Sequence, residues 1–277
     1  MTPKPIADYS KLCIHTITHK SWAIEHTAKK FAEAGVGGIT VWRDALTGKD
    51  IRKTGKMIRS LDLEIVSLCR GGFFPSPDAA SRKLALDDNL KAIDEAAELG
   101  APIVVLVCGA APGQSLETSR LHIRDGIEAC LAYAEKSGVI LAVEPLHPMY
   151  AGDRSAINTL AQANDLAEYF DSVWVGVAID VYHVWWDPDL KNQVKRCGEK
   201  GNLSAFHICD WRTPTVDMLN DRAIMGDGCI NVKEIRGWVE EAGFSGFNEV
   251  EIFSTKHWQE NQDEYFQRIL QAYLKSS

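Results

Sequence analysis

The chain has 277 residues, of which 45% are hydrophobic and 25% are charged, and its formal net charge is −8. These values are typical of a soluble globular protein. The negative charge disfavours a nucleic-acid partner, and no uncharged apolar stretch approaches the length of a membrane span.

The first eight residues lack the apolar segment of a signal peptide. Seven cysteines, an odd number, are scattered along the chain without a C-x-x-C pair. This pattern indicates reduced thiols rather than a disulfide framework or a thiolate metal site. We therefore expect a cytoplasmic protein without membrane contact.

Short apolar runs alternate with longer amphipathic segments along the chain. The predicted strands cover 12–15, 38–42, 64–69, 103–108, 139–143, 173–179, 203–206 and 247–250. The first predicted helix lies between Ser21, its candidate N-cap, and Gly35. The remaining predicted helices cover about 50–60, 79–99, 115–136, 157–170, 190–200, 232–242 and 259–274.

This alternation predicts a parallel sheet with helical crossovers. Eight units in a chain of this length favour closure into a single (β/α)8 TIM barrel over an open sheet. No linker or change of composition divides the chain, so we expect one domain over residues 1–277.

Four consecutive predicted strands, the fifth to the eighth, end on an acid or a histidine. These residues are Glu144, Asp180, His207 and Glu251. Carboxyl ends of barrel strands share one mouth, so the four side chains are expected to converge there. Three carboxylates and one imidazole suit one divalent ion, either Mn²⁺, Mg²⁺, Co²⁺ or Zn²⁺. No organic cofactor is predicted.

Each of these residues also has a structural interpretation when it is considered alone. For Asp180 alone, a helix N-cap and a metal ligand are about equally good interpretations. For His207 alone, a hydrogen-bonded core histidine is the leading interpretation. Glu144 is held extended by Pro145. The coincidence at four consecutive strand ends favours the metal.

Several short motifs resemble the xylose-isomerase-like sugar-phosphate isomerase/epimerase family. They are Glu144-Pro145-Leu146, Asp180-Val181-Tyr182-His183, His207-Ile208-Cys209-Asp210-Trp211-Arg212, Gly226-Asp227-Gly228 and Val250-Glu251-Ile252-Phe253. The resemblance implies that the same four residues bind one divalent metal. It also implies that His183 and Arg212 contact substrate oxygens.

From spacing alone, His183 is equally well a surface loop histidine, and Arg212 has an alternative surface pairing with Asp210. Further candidates for substrate contact near the predicted mouth are His15, Trp42, Arg70, His147 and Trp211. Aromatic side chains at such positions pack on sugar C–H surfaces or simply fill space.

A metal-bound α-hydroxy carbonyl has an acidified C–H, and its deprotonation gives a metal-bound enediolate. Glu144 and Glu251 are the predicted acid–base pair. The expected function is isomerisation or epimerisation of a small sugar or keto-sugar, in phosphorylated or free form, within carbohydrate metabolism. The alternatives are β-elimination by a lyase or dehydratase acting on a keto-sugar or inosose, and a non-catalytic sugar-binding barrel or subunit of a complex.

Relatives with this fold commonly form dimers or tetramers, so a homo-oligomer is expected. One position departs from the ketose 3-epimerase pattern, in which a second glutamate follows the metal glutamate by six residues; this chain has Tyr150 there. The ligands of the three-zinc DNA-repair endonucleases of the same fold are missing at 42–43, 70–71 and 227–229, which argues against that activity.

Overall fold

The computed structural model describes residues 5–277, so the first four residues of the N-terminal segment lie outside it. Parallel strands form a closed barrel in the order β1-β10-β7-β6-β5-β4-β3-β2. Their bounds are β1 Leu12–His15, β2 Gly38–Trp42, β3 Glu64–Gly72, β4 Ile103–Val107, β5 Ile140–Glu144, β6 Val175–Asp180, β7 Leu203–Ile208 and β10 Asn248–Val250. The predicted (β/α)8 TIM barrel is confirmed.

Helices surround the barrel. They are α1 Ile24–Glu33, α2 Ile51–Arg59, α3 Ala79–Leu99, α4 Leu116–Ser137, α5 Leu160–Phe170, α6 Val181–Val184, α7 Leu190–Glu199, α8 Val232–Glu241, α9 Thr255–Gln259 and α10 Gln262–Ser276. Among residues 5–277, no helix combines the length and the apolar character that crossing a membrane requires.

Helix ends follow local chemistry where a polar cap is present. Asp78 caps α3 by accepting a hydrogen bond from the Ser81 backbone N–H at 2.7 Å. Gly100 ends the same helix with φ +85°, a left-handed conformation that suits glycine. Ser115 caps α4 in the same way, and both helices have nearly the predicted bounds.

Three local features differ from the sequence prediction. Ser21 does not cap α1, which begins at Ile24 after the extended residue Ala23. The last predicted helix corresponds to α10 and begins only at Gln262, because Glu260 is extended; the short helix α9 before it was not predicted. A two-residue antiparallel ladder joins β8 (Asp210–Trp211) to β9 (Arg222–Ala223), inside the connection that the prediction left unassigned.

Strand register sets the heights of the functional side chains. Asp180 in β6 is level with His207 in β7, and His207 is level with Glu249 in β10. Side chains two residues apart on a strand share a face, so Glu249 lies one layer below Glu251. The barrel mouth therefore has acidic groups at two successive depths.

Candidate metal centre and its cavity

The structure brings together the four residues that the sequence places at the ends of the last four barrel strands. Glu144 and Asp180 end β5 and β6, His207 lies near the end of β7, and Glu251 directly follows β10. All four are buried, and one ligand atom from each lies within 4.8 Å of the others. Ligands on opposite sides of one ion with bonds of about 2.1 Å are about 4.2 Å apart, so this cluster requires little contraction.

The hydrogen bonding of the cluster fits a cation. Glu144 Oε1 and both ring nitrogens of His207 are buried without a hydrogen-bond partner among the residues described. His207 Nδ1 lies 3.0 Å from Glu144 Oε1 but is not aligned as a hydrogen bond. Buried polar atoms are almost always paired, and here a shared cation would satisfy the carboxylate oxygen and Nδ1.

Arg222 is a residue of the candidate site that the sequence analysis missed. Its Nη1 donates to Asp180 Oδ2 and to Glu251 Oε2, each at 2.8 Å, and its Nη2 lies 3.2 Å from His183 Nε2. The side chain is buried and belongs to β9, in the long connection after β7. One available signal was a lone arginine beside the apolar run Ala223-Ile224-Met225.

The charges around Arg222 shift the pKa values of its partners in opposite directions. Burial alone would raise the pKa of the Glu251 carboxyl, but the His15 and Arg222 charges outweigh it and hold that pKa well below its usual range. For Asp180, burial prevails over Arg222 and raises the pKa to about 7. Burial, followed by the Arg222 charge, lowers the pKa of His183 well below its usual range, which favours a neutral ring.

A second polar layer lies beneath the cluster, inside the barrel. His15 contacts Glu251 Oε1 through Nδ1 at 2.9 Å and Glu249 Oε2 through Nε2 at 3.2 Å. Thr40 Oγ1 donates to the same Glu249 oxygen at 2.6 Å. His15 was a predicted substrate contact, and its two carboxylate contacts place it as a support beneath Glu251. Glu249 was missed, although its spacing of two from Glu251 was a usable signal.

A cavity of about 230 Å³ opens directly above the cluster. Glu144 and Glu251 line it together with His183 and Arg222. The remaining lining residues are Trp42, Arg70, Val107, Leu146, Tyr150, Arg154, Leu219 and Phe253. The predicted contacts Trp42, Arg70 and His183 therefore face the same space as the two glutamates.

Other predicted contacts have different surroundings. Arg212 is 41% exposed and donates through Nη1 to Asp221 at 2.7 Å. Trp211 stacks on Tyr182 with ring centroids 4.7 Å apart, and His147 packs at 5.1 Å from Trp211. Trp211 and His147 belong to an aromatic group, and neither they nor Arg212 are among the residues that line the cavity.

Asp210, the alternative partner for Arg212, has another role. It is buried and accepts backbone hydrogen bonds from Trp211, Gly226, Gly228 and Ile230 at 2.8 to 2.9 Å. A side chain at Gly228 would collide with the Trp211 carbonyl oxygen. Asp210 and Gly228 thus fold the connection that carries Arg222 back over the barrel mouth.

The protein is therefore a closed (β/α)8 barrel with a candidate metal centre at the carboxyl ends of its strands. The model of the xylose isomerase-like TIM barrel family matches residues 28–275. The chain belongs to this family.

Individual relatives are consistent with that membership. Protein SMc04130 from Sinorhizobium meliloti 1021 has 48% identity and a TM-score of 0.91, covering 95% of this chain and 97% of its own. Fructoselysine 3-epimerase from Shigella flexneri is 25% identical over 263 residues, which are 87% of this chain and 90% of the relative. The IOLI protein, solved with a bound zinc atom, has 20% identity and a TM-score of 0.80, covering 95% of this chain and 96% of its own.

Proposed function

We propose that this protein is a divalent-metal-dependent epimerase or isomerase of a small keto-sugar. The observation that carries the proposal is the position of Glu144 and Glu251, which line one cavity and also belong to the four-residue cluster. Two carboxylates beside one substrate space provide an acceptor and a donor for the same proton-transfer reaction.

Glu144, Asp180, His207 and Glu251 would hold the ion, which is Mn²⁺, Mg²⁺, Co²⁺ or Zn²⁺ by the chemistry of these ligands. When bound, such an ion polarises the sugar carbonyl and makes the adjacent C–H more acidic. The unpartnered atoms of Glu144 and His207 support this assignment.

Proton transfer is assigned to the two glutamates. One carboxylate accepts the proton from the carbon next to the carbonyl, and the C–H electron pair moves into an enediolate. The other glutamate, in its acid form, returns a proton. Return to the same carbon from the opposite face inverts the centre. Return to the former carbonyl carbon, with transfer of the hydroxyl proton, converts ketose to aldose.

His183, Trp42 and Phe253 are positioned to contact the sugar, and Arg222 orients two of the carboxylates. A neutral His183 offers a hydrogen bond to a substrate hydroxyl, since its ring lines the cavity. Arg222 bridges Asp180 and Glu251, since its Nη1 donates to both carboxylates. Trp42 and Phe253 pack with centroids 5.1 Å apart and supply an apolar wall for sugar C–H groups.

The relatives support the same chemistry. The name of fructoselysine 3-epimerase describes inversion at a carbon of a ketose derivative. The zinc in the IOLI structure supports metal binding by a barrel of this shape. We therefore favour epimerisation as the first reaction to test.

The test is solvent exchange. Metal-loaded protein is incubated in D₂O with ketoses and ketose derivatives, and deuterium at the carbon beside the carbonyl is followed by NMR, with product configuration and mass from the same samples. We expect exchange that requires metal and falls by at least about a hundredfold in Glu144→Gln and Glu251→Gln. Glu33→Gln, an exposed glutamate paired with Lys29, is the matched control.

The outcomes separate the alternatives. A product lighter by water or by an aglycone would show β-elimination and overturn the epimerase proposal. Tight polyol binding without any exchange across the panel would support a binding protein instead. Exchange that survives in both glutamine variants would remove Glu144 and Glu251 from the reaction.

A further inference from the structure

Arg70 is a half-buried cation at the cavity without a carboxylate partner. It belongs to the end of β3 and lines both the cavity above the cluster and a neighbouring cavity of about 750 Å³. Its guanidinium lies over the Phe73 ring at 4.1 Å. Within residues 5–277, no carboxylate oxygen comes within 4.0 Å of it, a distance at which Arg43 and Arg222 do have partners.

Arg154 is a second such cation at the same cavity. It lies in the connection after β5, with its guanidinium 5.8 Å from the centre of the Tyr150 ring. It too makes no ion pair with any residue of the described part of the chain. Burial, and then the charge of Arg154, lower the pKa of Arg70, so the two cations are close enough to repel each other.

Two neighbouring arginines, Arg222 and Arg43, are paired with carboxylates. Arg222 is bonded to Asp180 and Glu251, and Arg43 makes two bonds to Asp88 at 2.8 Å each. Partly buried cations are usually paired because loss of water is costly. Arg70 and Arg154 keep their charges unpaired on the wall of a cavity sized for a small molecule.

We propose that Arg70 and Arg154 bind an anionic group of the substrate, a carboxylate or a phosphate monoester. The proposal rests on the proposed function, which places the keto end of the sugar at Glu144 and Glu251. Guanidinium groups bind both anions through paired hydrogen bonds. The two arginines then select keto-sugar acids or keto-sugar phosphates over neutral ketoses.

The larger cavity gives such a substrate room for its anionic end. Trp42, Arg70 and Phe253 form walls of both cavities. Lys20 and Lys91 also line the larger one and add positive charge. Three acids, Asp44, Asp88 and Glu95, line the same cavity, and the last two pair with Arg43 and Lys91. Four cationic side chains against three acids leave the lining with one net positive charge.

The test compares three probes that differ at the end remote from the carbonyl. Binding of D-fructose, D-fructose 6-phosphate and D-fructuronate to Mn²⁺-loaded protein is measured by calorimetry, and solvent exchange is measured on the same probes. At least one anionic probe is expected to bind at least about tenfold more tightly than fructose, with an affinity that decreases as NaCl increases. The anion that binds more tightly shows whether the arginines prefer a phosphate or a carboxylate.

Variants assign the effect to the two arginines. Arg70→Gln and Arg154→Gln are each expected to weaken binding of the preferred anion about ten- to a hundredfold, and to weaken it by a larger factor than they weaken fructose binding. Arg70→Lys should recover part of the loss because the charge remains. The control is Arg52→Gln, because the Arg52 side chain is 69% exposed. Circular dichroism and thermal unfolding verify that each variant is folded.

Failure of this proposal differs from failure of the proposed function. If fructose undergoes exchange and neither anion binds more tightly, the anion proposal is overturned while the epimerase proposal stands. If an anion binds through Arg70 and Arg154 but no probe undergoes exchange, the anion site stands without the catalytic role. Unchanged anion affinity in both glutamine variants overturns the assignment to these arginines.

Discussion

Asp180 and Glu251 share one guanidinium, that of Arg222, in a part of the barrel mouth that solvent barely reaches. Both acids receive hydrogen bonds from the same Nη1 atom. Removing one partner of a buried ion pair leaves an uncompensated charge, which is far more destabilising than the net contribution of the pair. Arg222 therefore stabilises the fold of a site whose acids repel each other.

Arg222→Met tests this role. In metal-free buffer, the variant is expected to lose about 3–5 kcal/mol of unfolding free energy, measured by urea denaturation. Added Mn²⁺ should then stabilise the variant more than the wild type, because the ion supplies charge that Arg222 no longer provides. Equal metal-induced stabilisation of both proteins would contradict this account. Arg52→Met, at an exposed position, should change neither quantity.

Glu249 is a buried acid in the polar layer beneath Glu251. One of its oxygens accepts from Thr40 at 2.6 Å and contacts His15 at 3.2 Å, and the side chain is 1% exposed. Glu249→Gln keeps the shape but places a weaker acceptor, or a donor, opposite these groups. We expect a loss of about 1.5–3 kcal/mol in unfolding free energy by urea denaturation.

The control is Glu98→Gln, at an exposed site whose arginine partner is 3.9 Å away. It should stay within about 0.5 kcal/mol of the wild type. A Glu249→Gln variant as stable as this control would show that the polar layer beneath Glu251 contributes nothing to the fold.

Among the elements, the connection between β7 and α8 depends most on a single side chain. Asp210 accepts four backbone hydrogen bonds within this connection, three of them from Gly226, Gly228 and Ile230. The path of the connection places Arg222 over Asp180. A change at Asp210 is therefore expected to loosen the segment that carries Arg222.

Asp210→Asn is expected to lower the unfolding free energy by about 1–3 kcal/mol and to increase cleavage between 212 and 230 in limited proteolysis. An amide has one acceptor oxygen in place of two, and its NH₂ group opposes backbone donors. Asp227→Asn, at an exposed acid in the same connection, is the control. Identical cleavage patterns for the two variants would argue against the anchoring role of Asp210.

The same connection shows the limit of prediction from the sequence. The barrel was predictable because buried parallel strands are apolar runs, and an acid or histidine at the end of such a run stands out, as at Asp180 and His207. Caps at Asp78 and Ser115 fixed two long helices locally. Arg222 was not predictable in this way, since its position depends on hydrogen bonds to Asp210, twelve residues away along the chain.

His15 and Arg212 illustrate the same distinction. Both follow or border a strand end, so substrate contact was a candidate role for each. The structure surrounds His15 with two carboxylates and brings Arg212 to Asp221. Which neighbour a side chain contacts depends on residues distant in the sequence, whereas the height of a strand end depends on the strand itself.

At the scale of the whole molecule, the barrel closes by pairing β1 with β10, and the turn after β1 packs against the last helix. His19, in this turn, is fully buried and stacks on Trp22 with ring centroids 4.4 Å apart. Its Nδ1 lies 3.1 Å from Gln262 Oε1 in α10, and its ring lies 5.1 Å from that of Tyr265. The contact between the two ends of the fold therefore contains a titratable group.

This contact should make the fold sensitive to acid. Burial lowers the pKa of His19 from 6.5 to about 4, although Gln262 and Asp263 act in the opposite direction. Between pH 6.5 and 4, the unfolded chain binds a proton at His19 that the folded protein does not. The unfolding free energy therefore falls as the pH falls through this window, by up to about 1.4 kcal/mol per pH unit from this residue.

His19→Phe removes the titratable ring but keeps an aromatic side chain among Trp22, Phe31 and Phe266. We expect the variant to be less stable at pH 7, because a ring fitted to Gln262 is replaced, and to lose less stability than the wild type on acidification. The measurement is urea denaturation at half-unit steps from pH 7 to 4. Lys20→Gln, at the exposed neighbouring residue, should give a curve parallel to the wild type. Parallel curves for His19→Phe and wild type would mean that His19 takes up its proton without opening the contact between the first and last elements.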